Sequence, residues 1–215
     1  MTEKDTAHTI AEQLLQIKAI KLQPEDPFTW ASGWKSPIYC DNRLSLGYPR
    51  IRTHVRQSFA KLIESKFGKP DLIAGVATAA IAPGVLVAEA LGLPFCYVRS
   101  ASKDHGLKNL IEGGYEKNQS CVVVEDLVST GKSSIAAIEE LRKAGVVVKG
   151  LVSIFTYGFE EANEAFKNAN CQFYSLSNYD VLIEEAIAKK YIKPNQLTIL
   201  QQWRINPQEW GRNPV

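Results

Sequence analysis

What most constrains this 215-residue chain is a rhythm. From residue 70 onward, four short apolar runs alternate with stretches of helical periodicity: LIAGV at 72–76, FCYV at 95–98, CVVVE at 121–125 and VVVKGLVSIF at 146–155. These runs are rich in β-branched residues and bounded by Gly or Pro. They lack the polar alternation of a half-exposed strand and suit parallel strands buried on both faces. Helical stretches at 80–91 and 132–144 lie between them, the second followed by Gly145, where a helix end favours glycine. Such alternation winds a parallel sheet with helices on both faces. The expected fold class is therefore α/β: a wound, mainly parallel central sheet flanked by helices, with a small N-terminal flap.

The flap is expected from 22–47, where Pro24, Pro27, Gly33 and Pro37 break the rhythm among aromatic residues. Before and after it, 7–21 and 48–67 carry apolar residues at helical spacing, Ile10, Leu14 and Ile17 in the first and Ile51, Val55, Phe59, Leu62, Ile63 and Phe67 in the second. A weaker strand is expected at 172–176, then helices at 178–190 and 195–204. With no repeat and no linker, 1–215 reads as one domain: helix and flap at 1–47, a ligand-binding core at 70–155, and within it a mobile loop at 99–114.

Composition excludes several classes. Apolar residues at 45% and charged residues at 22% are globular values, so disorder is not the theme. Twenty-five Lys and Arg against 23 Asp and Glu leave +2, which argues against duplex binding through phosphates; no nucleic-acid partner is expected. The cysteines at 40, 96, 121 and 171 match no zinc or redox spacing and are expected as buried thiols. The apolar stretch at 72–88 is broken by Gly75, Pro83 and Gly84, so no membrane association is expected. The first residues, MTEKDTAHTI, lack the basic flank and apolar core of a secretory leader, and the expected location is cytoplasmic.

Ligands of open parallel sheets bind beyond the carboxyl ends of the strands. There CVVVEDLVSTGKSS, at 121–134, places two acids at a buried strand end, followed by small and hydroxyl residues that open a helix. Gly131-Lys132-Ser133 invites comparison with a nucleotide-binding phosphate loop, but that loop needs another glycine where Asp126 stands. What remains is a phosphate cradle: N–H groups and hydroxyls of Ser129, Thr130, Gly131, Lys132 and Ser133 at a helix N-terminus. Glu125 and Asp126 would repel a phosphate unless they face sugar hydroxyls or a cation. The plainer reading is an ordinary helix cap with acids near its start.

The second informative stretch is 99–114, which carries Arg99, Lys103, His105 and Lys108 among Gly106, Gly113 and Gly114. A connection this long without helical period is commonly functional, and clustered cations suit a pyrophosphate. Taken alone it also reads as a solvated charged loop.

EDLVSTGKSS resembles the phosphoribosyl diphosphate (PRPP) motif of the type I phosphoribosyltransferases. The resemblance implies that fold, with Glu125 and Asp126 on the ribose 2′- and 3′-hydroxyls, 129–133 on the 5′-phosphate, and Leu127 and Val128 within the PRPP-binding stretch. YVRSASKDHGLKNLIEGGY is similar to the catalytic loop of orotate phosphoribosyltransferases, and PFTWASGWKSPIYCDNR, at 27–43, to their orotate-binding segment. From this follow PRPP contacts by Arg99, Lys103 and His105, catalytic roles for Lys103, His105 and Asp126, and orotate contacts by Phe28, Lys35 and Ser129. Magnesium is implied as cofactor, held mainly by PRPP and water with no protein ligand assigned. A homodimer sharing the loop across its interface is implied as well. The implied reaction moves the ribose 5-phosphate group of PRPP to N1 of orotate, in UMP biosynthesis. Another base, or a PRPP-sensing regulator that binds nucleic acid, are the alternatives. Departures from the family pattern occur at Ser100 and Ala31, where relatives carry Lys, and around Thr78, Ala79, Thr156 and Tyr157.

Overall fold

A computed structural model describes residues 2–99 and 110–211. Helix α1 (Glu3–Gln16) starts earlier than its apolar spacing suggested. The reason is a reciprocal cap: Asp5 N–H donates to Thr2 Oγ1 at 3.1 Å, and Thr2 N–H donates to the Asp5 carboxylate at 2.9 Å. It also ends earlier, because the chain turns through Lys18 at φ 58° and Ile20 enters a strand.

The flap is built of very short pieces. Strand β1 (Ile20–Leu22) precedes β2 (Phe28–Thr29), β3 (Lys35–Ser36) and β4 (Ile38–Cys40), which form two antiparallel ribbons, β1 with β4 and β2 with β3. A 3-10 turn, Asn42–Gly47, leads into α2 (Pro49–Phe67).

The rest follows the expected alternation: β5 (Leu72–Val76), α3 (Ile81–Leu91), β6 (Phe95–Val98), β7 (Ile111–Gly113), β8 (Ser120–Val128), α4 (Lys132–Lys143), β9 (Val147–Thr156), α5 (Glu160–Asn168), β10 (Gln172–Asn178), α6 (Tyr179–Ala188) and α7 (Leu197–Ile205). The six-stranded sheet runs β10-β9-β8-β5-β6-β7, parallel throughout except for β7. Two elements correct the sequence reading. Residues 111–113, expected inside the loop at 99–114, form the antiparallel edge strand β7. Helix α5, which has only Ala162 and Phe166 as its buried face, was not expected.

Side-chain alternation along the strands feeds two cores. Ile73, Val122, Val124, Val152 and Ile154 pack with α1, α2, α6 and α7, while Leu72, Ala74, Cys121, Val123 and Leu151 pack with α4 and α5. All five residues of β5 are buried, as a central strand covered on both faces requires. Two glycines leave the β5–α3 turn and α3 room to pack closely: a Cβ on Gly84 of α3 would lie 2.7 Å from the Phe95 ring of β6, and one on Gly75 of β5 would lie 2.8 Å from the carbonyl of Ala80, the N-cap of α3. That approach sets where the β5–α3 turn projects.

The four cysteines are free thiols, three buried and Cys40 half-buried. Burial raises all of them, Cys96 to about 12. Among the described residues, no helix is long and apolar enough to cross a membrane.

Candidate active site

The strand order reverses between β5 and β8: from β5 the chain builds toward β6, and from β8 it builds toward β9 and β10. Such a switch point opens a crevice at the strands' carboxyl ends. A cavity of about 280 Å³ lies there, walled by Val76–Ala79 of the β5–α3 turn and by Glu125–Ser134.

Helix α4 begins at this cavity. Gly131, its N-cap, has φ 81°, a conformation that glycine enters without steric cost, and its carbonyl accepts from Ile135 N–H at 2.9 Å. No side chain caps the helix, so its first N–H groups remain available to an anion. The Lys132 ammonium lies 3.3 Å from Glu161 of α5, so its side chain faces that carboxylate and its main chain belongs to the turn.

Strand β8 runs past the acids to Val128, longer than the apolar run suggested, so both carboxylates stand on regular strand. Glu125 is 5% exposed. Its Oε1 accepts from Asp126 N–H at 3.0 Å and its Oε2 from Ser134 Oγ at 3.2 Å. Burial pushes the Glu125 carboxyl well above the ordinary range, and the neighbouring Asp126 charge pushes it further. Burial raises Asp126 as well, opposed by hydrogen bonds from Glu125 and from backbone. Of the two, Glu125 is the more deeply buried and is pushed further above its ordinary range.

The remaining predicted residues are placed as follows. Arg99 directly follows β6; its N–H donates to Leu110 O at 2.8 Å and its guanidinium lies 3.6 Å from Glu112. Lys103 and His105 lie outside the described residues. Phe28 and Lys35 sit on the flap ribbon, away from the cavity lining; Phe28 meets Tyr39 with ring centroids 5.6 Å apart, and Lys35 Nζ donates to Thr29 at 2.8 Å. The flap reaches the acids through another residue, Asn42, whose Nδ2 donates to the Asp126 carbonyl at 2.7 Å. It lies within the segment 27–43 that the sequence singled out, where no role was given to it.

The flap is fixed to the far end of the chain by aromatic packing. Trp30 lies 5.3 Å from Tyr157 and 5.7 Å from Trp203 of α7, whose ring also meets Phe159 and Tyr179. Thr156 is turned inward, Oγ1 donating to Val128 O at 3.2 Å. A larger groove of about 620 Å³ lies between α6 and α7, but its Arg204 is already engaged by Asp180 at 2.6 Å and by the Tyr157 carbonyl at 3.2 Å. Chemistry rather than size marks the smaller cavity.

Residues 47–179 match the model of the phosphoribosyl transferase domain. Over 208 residues the chain is 51% identical to an orotate phosphoribosyltransferase of Porphyromonas gingivalis, covering 97% of this chain and 99% of that one. The chain belongs to the orotate phosphoribosyltransferase family. A second relative of that name, from Phocaeicola vulgatus, is 54% identical over 93% of this chain and 94% of its own. In three dimensions, the crystal structure of orotate phosphoribosyltransferase from Aeropyrum pernix superposes with a TM-score of 0.75 at 26% identity, covering 86% of this chain and 99% of that one. The expected fold is thereby established: a mostly parallel sheet flanked by helices, in the type I phosphoribosyltransferase family. The readings as a transferase for another base, or as a regulator, are not favoured.

Proposed function

We propose that this chain transfers the ribose 5-phosphate group of PRPP to N1 of orotate, giving orotidine 5′-phosphate and pyrophosphate. The observation that carries this reading is the adjoining of Glu125 and Asp126 to an uncapped helix N-terminus in one cavity, in a chain about half identical to orotate phosphoribosyltransferases along nearly its whole length. A ribose phosphate has the same two halves, a diol and a phosphate, in the same order.

Chemically, N1 of the base, having given up its proton, forms a bond to the ribose C1 as the bond from C1 to pyrophosphate oxygen breaks. The electron pair leaves on pyrophosphate and the configuration at C1 inverts. Positive charge develops on the sugar, and the carboxylate of Asp126 stands where it favours that charge. The turn at 129–133 holds the 5′-phosphate by main-chain donors, so that C1 is fixed relative to the base. Lys103, with Arg99 and His105, neutralises the departing pyrophosphate.

Among the described residues, no group of three or more His, Cys, Asp and Glu side chains could hold a metal. Two adjacent carboxylates and a polyphosphate substrate fit a magnesium ion that arrives with PRPP, keeps several waters and supplies charge neutralisation. We further propose a homodimer in which the segment around Lys103 serves the partner's site, and a cytoplasmic location.

The test is loss of orotate absorbance in the presence of PRPP and magnesium, with adenine, hypoxanthine and uracil as parallel bases. Orotate turnover that stops on chelation is the expected result. Turnover of another base instead, or PRPP binding with no turnover, overturns the assignment.

A further inference from the structure

Asn42 is 2% exposed, and every polar atom of its side chain is used. Nδ2 donates to Asp126 O at 2.7 Å, and Oδ1 accepts from Cys40 Sγ at 3.3 Å. The partners fix which end is which, because a carbonyl can only accept and the reverse orientation would set oxygen against oxygen. The Asn42 carbonyl in turn accepts from the buried Ser45 Oγ at 2.6 Å, so the residue is held in its own turn before it reaches across to β8.

The Asp126 carbonyl needs such a partner. Pairing of β8 with β5 ends at Gly75–Val124, two residues short of Asp126. A backbone acceptor beyond the paired stretch needs another donor, and a flap side chain supplies it here. The Asp126 N–H is meanwhile taken by Glu125 Oε1. The backbone of Asp126 is thus gripped on one side by the acid pair itself and on the other by the flap.

Resting on the function proposed above, we infer that Asn42 is a positioning residue that couples the base-binding flap to the ribose-binding acid pair. It sets the direction of the Asp126 peptide, so the affinity for PRPP depends on a residue of the flap.

The variant Asn42→Leu keeps volume and charge and removes the donor. PRPP affinity, measured by calorimetry with magnesium and without any base, weakens about ten- to hundred-fold, as a small misplacement of a binding group does. The KM for PRPP rises in parallel, the KM for orotate moves far less, and the melting temperature stays near that of the parent. Asn42→Gln, which can still donate, recovers part of the affinity. Unchanged PRPP affinity together with a raised KM for orotate or a lowered melting temperature would make Asn42 a packing residue of the flap and overturn the inference. Should Asn42→Leu not fold, Cys40→Ala carries the test, since it removes only the Oδ1 partner: a smaller loss of PRPP affinity supports the coupling, and no loss overturns it. A parent protein that turns over orotate while the variants bind PRPP normally refutes this inference alone. A parent that binds no PRPP refutes the proposed function with it.

Discussion

The carboxyl end of β8 and the N-terminal flap meet at Asp126 and Asn42, yet they are made of different materials. The β8 side is mostly main chain: a strand end, a glycine at positive φ and an uncapped helix start, beside the buried Glu125 and half-buried Asp126 carboxyls. The flap is mostly side chain: ribbons of two or three residues, held by Trp30 against Tyr157 and Trp203. A main-chain cradle is fixed by the sheet and recognises what any phosphate offers. A side-chain wall can be rebuilt residue by residue.

The contrast can be broken most strongly on the flap side. Trp203 is fully buried, and Trp203→Ala should cost about 3–5 kcal/mol of stability in denaturant unfolding, typical of emptying a large aromatic site. Among the described residues its indole N–H has no hydrogen-bond partner, so Trp203→Phe should cost much less. Equal losses would show that the ring's packing is not what anchors the flap.

On the β8 side, Asp126→Asn should lower kcat/KM by about 10²- to 10³-fold, as removal of a group aimed at developing charge commonly does, with the melting temperature little changed. Steady-state rates within tenfold of the parent would contradict the role given to Asp126. Next in size is a pH effect. Burial raises the folded-state Glu125 carboxyl above the 4.5 of an exposed one, so the folded protein binds that proton more tightly than the unfolded chain. Ligand-free stability from this group is therefore complete below the unfolded value and lost as pH rises through the folded one. Melting curves of parent and Glu125→Gln should diverge as pH rises, the parent losing ground; parallel curves would place the shift elsewhere. The smallest effect is expected at Lys132, whose side chain faces Glu161: Lys132→Ala should leave the KM for PRPP nearly unchanged. A large rise would mean that the ammonium swings back to the phosphate.

Legibility in the sequence divides along the same line. LIAGV and CVVVE announce strands because each is buried on both faces, whereas FCYV alternates half-buried Phe95 and Tyr97 with buried Cys96 and Val98; EDLVSTGKSS announces its site because main-chain chemistry at a strand–helix turn needs small residues and glycine in fixed order. Strand β7, with the sequence IEG, exists only because an edge is free beside β6, and nothing in three residues encodes that. Helix α5 was hidden by its short buried face, and the early start of α1 by a cap that uses Asp in place of the commoner Glu. Asn42 could not be foreseen at all, because its partner lies 84 residues away and is a backbone carbonyl, which has no sequence signature.

The four thiols carry a consequence for watching this molecule open. Raised by burial, they gain reactivity toward alkylating reagents as their surroundings part, and they are spread across the molecule: Cys40 on the flap strand β4, Cys96 and Cys121 inside the sheet, Cys171 before the β10 edge. The order in which they become labelled is a native chronicle of which part loosens first, written without adding a single probe.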